Sequence, residues 1–161
     1  MSTLYHRVVT RMVLAVSAGL LVCAFPVDGP AHAYDLLTIE EYAKRSPSGA
    51  TRTFIVTAND GPEIIVHTPE TSGDLSSPLD FDVEFRARSA EPLIGSLILE
   101  YDLGLFWKDI TSRLSDHAEI TENRIISRGA ELPVGDHHLR MSISDLAGKT
   151  TTTNMVLTVS K

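Results

Sequence analysis

The residues of this sequence that could do chemistry fall into three sets. His137-His138 sets two imidazoles side by side, a pattern that can ligate a transition metal. Asp116, His117, Glu119 and Glu122 place carboxylates around one imidazole, which suits acid–base work or a carboxylate metal site. Asn59, Asp60 and Asp145 are oxygen donors of the kind that calcium takes. Spacing weighs against each set. Successive side chains in a strand point to opposite faces, so His137 and His138 cannot grip one ion. His137 shares its face with Leu139, Met141 and Ile143 and is expected inside, whereas His138 belongs with Asp136, Arg140 and Ser142 on the polar face. The Ser115 to Glu122 stretch reads as a loop and short edge strand, where charged side chains keep an edge soluble.

Nucleophilic catalysis has no support in the motifs. There is no Gly-x-Ser-x-Gly elbow, no His-Glu-x-x-His, no phosphate-binding glycine loop and no dinucleotide fingerprint. The one cysteine, Cys23, lies near the amino terminus. A non-enzymatic protein without cofactor is expected, and a hydrolase working through His117 or His138 ranks last.

The elements that would carry these residues begin after a leader. Arg7 and Arg11 precede an apolar run from Met12 to Phe25, interrupted only by Ser17 and Gly19, and Pro26, Asp28, Gly29 and Pro30 then end any helix. The run has 14 residues, too few for a bilayer core that needs roughly 20. Ala31-His32-Ala33 supplies the small residues that a signal peptidase admits, so residues 1–33 are expected to be a signal peptide cleaved before Tyr34. Cys23 opens a lipoprotein alternative, opposed by the branched Val22 where a small residue should stand.

The full chain has 161 residues, with 14 Lys and Arg against 21 Asp and Glu. Without residues 1–33, which hold two arginines and one aspartate, the net charge is −8 and no cysteine remains. Disulfides, thiolate metal sites and thiol nucleophiles are thereby excluded from the mature chain. The acidic balance argues against nucleic acid and anionic membrane surfaces. Periplasmic or secreted localisation follows, with no stable membrane span in the mature chain.

Residues 34–52 read as a lead-in with one short helix. Thr38 and Glu41 form a capping box, Leu36, Ile39, Tyr42 and Ala43 follow at helical spacing, and Ser46-Pro47-Ser48-Gly49 ends it. From residue 53 to 161 the period changes to 2. Phe81 to Arg88 alternates apolar and charged residues without error, and short strands are also expected at Thr53–Thr57, Glu63–His67, Ser96–Tyr101, Phe106–Thr111, Ala118–Thr121, Arg124–Ser127, His137–Asp145 and Thr150–Ser160. Turn signals separate them, among them Asn59-Asp60-Gly61-Pro62 and Ala147-Gly148-Lys149. Many short strands in about a hundred residues predict an antiparallel sandwich.

From about residue 62 to 159 the chain resembles a bacterial immunoglobulin-like domain of exported proteins. The resemblance is carried by Pro62-Glu63-Ile64-Ile65-Val66 with Thr68-Pro69, by Ser77-Pro78-Leu79, by Leu97 to Tyr101 with Asp109-Ile110-Thr111, and above all by Leu132-Pro133-Val134-Gly135 through Asp145-Leu146-Ala147-Gly148. It implies an all-β fold, a single immunoglobulin-like antiparallel β-sandwich, and no particular activity. Two departures stand out: no cysteine pair joins the sheets, and His137 occupies a corner position often held by an aromatic residue. Thr57 to Pro62 also partly resembles the calcium-binding linker of cadherins, with Thr57 and Gly61 replacing ligand-bearing residues.

Leu103-Gly104-Leu105-Phe106-Trp107 is apolar on both alternating sets and holds the only tryptophan. In one strand Leu105 and Trp107 would face one side and Phe106 the other, so a large apolar group must lie outside the main core. Either the Tyr34 to Arg45 segment or a loop covers it, or Leu103, Leu105, Phe106 and Trp107 form a partner-binding patch. The expected function is an exported binding or scaffolding module that contacts an envelope protein. A periplasmic small-ligand or calcium carrier is the alternative.

Overall fold

The computed structural model describes residues 32–45, 59–70 and 73–161. The expected signal peptide, up to residue 31, and the strand expected at Thr53–Thr57 lie outside the described residues. In chain order the elements are β1 (Tyr34–Asp35), α1 (Ile39–Ala43), β2 (Glu63–Thr68), β3 (Asp74–Ser76), β4 (Leu79–Arg86), β5 (Pro92–Asp102), β6 (Trp107–Asp109), α2 (Thr111–Ser115), β7 (Ala118–Ile120), β8 (Arg124–Glu131), β9 (Gly135–Asp145) and β10 (Thr150–Ser160).

Two five-stranded sheets face one another. One runs β1-β8-β4-β2 with β7 also paired to β8, and the other runs β3-β10-β9-β5-β6. The period-2 alternation does what it demands: Phe81, Val83 and Phe85 of β4 are fully buried while Asp82 and Glu84 point outward. Leu139, Met141 and Ile143 of β9, Leu99 and Tyr101 of β5, and Leu157 of β10 close the core from the other sheet. Outward-facing charges pair along the first sheet, with Arg124 of β8 bidentate to Asp82 at 2.7 and 2.6 Å.

The sandwich differs from a purely antiparallel one. β1 pairs with β8, and β3 with β10, in parallel. Both strands are too short for a hydrophobic period to announce them, and each completes an edge rather than building a sheet. The described part of the lead-in, residues 34–45, is docked. Tyr34, Leu36 and Leu37 join the core, the Leu36 and Leu37 amides donate to the Glu131 carbonyl, and the Tyr34 hydroxyl meets Ser127 Oγ at 2.6 Å.

α1 carries the expected capping box, but its expected stripe is split: Leu36 and Tyr42 pack on the core, whereas Ile39 and Ala43 are exposed. Ile39 is 76% exposed, and the helix is held instead by Glu41 and by Tyr42, which lies against the core. The strand expected at Phe106–Thr111 is shorter than its pattern. Phe106 belongs to a turn, β6 covers Trp107 to Asp109, and α2 begins at Thr111, where the Asp109 carboxylate accepts from the Thr111 amide at 2.8 Å and its hydroxyl at 2.6 Å.

Candidate functional site

Pairing of Glu100 with Asp109, Tyr101 with Lys108, and Asp102 with Trp107 builds a hairpin from β5 and β6. Its tip is Leu103 to Phe106. The Leu103 amide donates to the Phe106 carbonyl at 3.1 Å, and the Gly104 amide donates to Asp102 Oδ1 at 2.7 Å. Gly104 has φ +91°, a conformation that a side chain disfavours and glycine permits. Leu103 turns back and packs against the core. The next two residues cannot do the same: Leu105 is 80% exposed and Phe106 58% exposed.

The base of this hairpin is fastened on both sides. On the outer face the Arg140 guanidinium lies over the Trp107 ring, 4.3 Å from its centroid, and pairs with Glu100 at 2.8 Å through Nε and 2.6 Å through Nη2. On the other side Glu41 of α1 accepts two hydrogen bonds from Arg113, at 2.7 and 2.8 Å, and pairs with Lys108 of β6. Those two cations, Arg113 first, hold the Glu41 carboxyl well below the ordinary carboxylate range. The result is a rigid support that presents two large apolar side chains to solvent. Of the four residues singled out in the sequence, Leu103 and Trp107 are thus used by the hairpin's own structure, and Leu105 and Phe106 are displayed.

The His137-His138 pair is separated by the sheet. His137 is fully buried; its Nε2 donates to the Pro133 carbonyl at 2.7 Å, so Nδ1 is the acceptor for the Tyr101 hydroxyl at 3.1 Å. Tyr42 packs on the imidazole with ring centroids 5.0 Å apart. Burial lowers the His137 pKa and pushes the Tyr101 phenol up to about 12, so the ring is a neutral core residue. Gly135, at φ +134°, leaves the space into which the Tyr42 phenol fits. His138 lies half-exposed on the opposite face.

Of the three oxygen donors, Asn59 and Asp145 each commit a side-chain oxygen to main-chain amides. Asp145 is buried, and its Oδ1 accepts from the Ala147 and Lys149 amides, each at 2.9 Å, while Oδ2 accepts from Ser89 at 3.4 Å. Asn59 Oδ1 accepts from the Thr152 amide at 3.1 Å, and Asp60 is exposed. The His117 ring stacks on Tyr34 at 4.2 Å. Among the described residues no three His, Cys, Asp or Glu side chains come close enough to hold a metal ion. No helix among them is long and apolar enough to cross a membrane.

Sequence patterns gave no sign of the partnership of Glu41 with Arg113 and Lys108, which joins residues far apart in the chain. Nor did they signal a groove of about 440 Å³ lined by Glu91, Pro92, Leu93, Ile94, Glu122 and Asn123.

No family model and no curated protein matches this chain. Among solved structures it is similar to the crystal structure of an engineered protein, at 11% identity and a TM-score of 0.41, over 65% of this chain and 21% of that one. This chain thus corresponds to about a fifth of that protein's length, and a likeness at this level assigns neither family nor function.

Proposed function

We propose that the protein is an exported, non-catalytic module with an immunoglobulin-like sandwich, and that it binds an envelope protein through the Leu105–Phe106 hairpin tip. The observation that carries this reading is the exposure of both side chains on a hairpin whose base is tied down by Arg140, Trp107, Glu41 and Lys108. Exposing two large apolar groups at a fixed turn lowers solubility without improving the core, and preorganised aromatic anchors are what interfaces use.

The strand order supports the immunoglobulin-like part. β2-β4-β8-β7 packs against β3-β10-β9-β5-β6, and the early strand β3 crosses over to lie parallel on the last strand. Export is supported by Arg7, Arg11, the Met12–Phe25 run and Ala31-His32-Ala33, and by β1 starting at Tyr34, the first residue after the expected cleavage point. The absence of nucleophile motifs supports a non-catalytic role. The calcium-carrier alternative gains nothing from Asn59 and Asp145, whose side-chain oxygens accept from main-chain amides and from the Ser89 hydroxyl.

Replacing Phe106 by a photo-crosslinking phenylalanine tests the reading in cells. Crosslinking to one envelope protein from position 106, and none from a control at Glu63, is expected. Equal yields at both positions, or none at 106, would reject the hairpin tip as a contact.

A further inference from the structure

The groove between the start of β5 and the Glu122–Asn123 turn combines three features. Its floor is apolar: Pro92 and Ile94 are half-buried and Leu93 is 45% exposed. On the Glu91 side the exposed Leu146, whose amide donates to the Glu91 carbonyl at 3.0 Å, continues that surface. Its volume falls within the roughly 300–1,000 Å³ of ligand clefts.

The second feature is charge. Glu91 and Glu122 are exposed, and neither carboxylate meets a Lys or Arg among the described residues. Glu41, Asp82, Glu84 and Glu100, by contrast, each have such a partner. The third is a bare strand edge. β6 pairs only with Glu100–Asp102, so from Pro92 to Ile98 the outer edge of β5 has no strand neighbour among the described residues. The ladder to β9 is itself interrupted between Leu93 and Ile98, where Ser96 Oγ takes over by donating to the Leu93 carbonyl at 2.7 Å and accepting from the Ser144 amide at 2.9 Å.

A floor for an apolar side chain, carboxylates at the rim and main-chain groups along an edge are the requirements of an extended peptide. A second copy of this chain fits poorly, since the chain's net charge of −7 would bring like charges together at a rim that is itself acidic. We infer that this groove binds an extended segment of a partner protein carrying Lys or Arg on either side of an apolar residue. The site is separate from the hairpin tip and does not depend on it.

Random twelve-residue peptides displayed on phage would be selected on the purified protein, and the most enriched sequence synthesised and titrated. Enrichment of Lys or Arg flanking an apolar residue is expected, with affinity falling about tenfold in the E91K/E122K variant. E70K/E131K, the same change in net charge at other exposed positions, and L105S/F106S should bind as wild type does. Amide shifts in the wild-type protein should centre on Leu93–Ile98, a readout that needs no variant. Failure of any sequence to enrich, equal losses in E91K/E122K and E70K/E131K, unchanged binding to E91K/E122K, or shifts centred elsewhere would each overturn the inference. Loss confined to L105S/F106S would do so too, while leaving the hairpin reading intact.

Discussion

The His137 corner and the Leu105–Phe106 tip are opposites. At the corner a polar ring is fully buried, yet both nitrogens are satisfied by Pro133 and Tyr101 and its faces are packed. At the tip two apolar side chains are exposed although the turn beneath them is closed by hydrogen bonds from the Leu103 and Gly104 amides. A buried polar group with every partner in place is accounted for by folding alone. Large apolar groups held out in water by a rigid support are not, which is why the tip rather than the histidine pair carries the functional proposal.

The sharpest way to break this contrast is to remove His137. H137A empties a packed site, takes the Pro133 carbonyl's partner and leaves the Tyr101 hydroxyl only its contact with Arg45, and should cost about 2–4 kcal/mol in urea unfolding. A loss below about 1 kcal/mol would mean that the corner is not structural in this sense. Next comes Glu41, whose loss strands Arg113 and Lys108: E41A should cost about 1–3 kcal/mol and loosen α1.

Acid should separate the two regions further. The His137 pKa is lowered by burial, so the unfolded chain takes up its proton first. Its contribution is complete above the ordinary value of 6.5 and drains away as pH falls below it. Glu41 is depressed from its ordinary 4.5, so its contribution is intact above that pH and is lost as pH falls further. Unfolding midpoints measured against pH should show both losses in wild type and only the lower one in H137A. E41Q should lessen that lower loss without removing it, because Asp82 and Asp109 are lowered as well.

A smaller effect is expected at the hairpin base. R140M removes the cation from the Trp107 ring and should cost about 1 kcal/mol, with a change in Trp107 fluorescence. The smallest belongs to the tip: L105S/F106S should shift stability by no more than about 0.5 kcal/mol.

Much of the sheet structure was legible because burial on one face imposes period 2. The Phe81 to Arg88 alternation is a strand as far as Arg86, Thr150 to Ser160 is a strand throughout, and His137 is buried with Leu139 and Met141 as alternation demands. The capping box of α1 was legible for a local reason, since Thr38 and Glu41 bond across three residues. What could not be read was long-range or non-periodic. β1 and β3 have two and three residues, too few to show a period, and their parallel pairing is fixed by distant partners, Tyr34 with Ala130 and Asp74 with Thr158. Leu105 and Phe106 read as alternating strand positions, whereas Gly104 and the Asp102 carboxylate convert that stretch into a turn and so place both side chains outside. The groove at Glu91 and Glu122 unites two loops with no shared sequence signal.

The most direct test of the central claim measures L105S/F106S twice, by urea unfolding and by affinity capture of the envelope protein found from position 106, with the same lysine-reactive crosslinker applied to both backgrounds. An unchanged unfolding midpoint with capture lost is the expected result, making the tip a binding surface on a self-sufficient fold. A midpoint lowered as far as that of H137A would mean that Leu105 and Phe106 are structural, and capture retained at wild-type level would mean that the partner is held elsewhere.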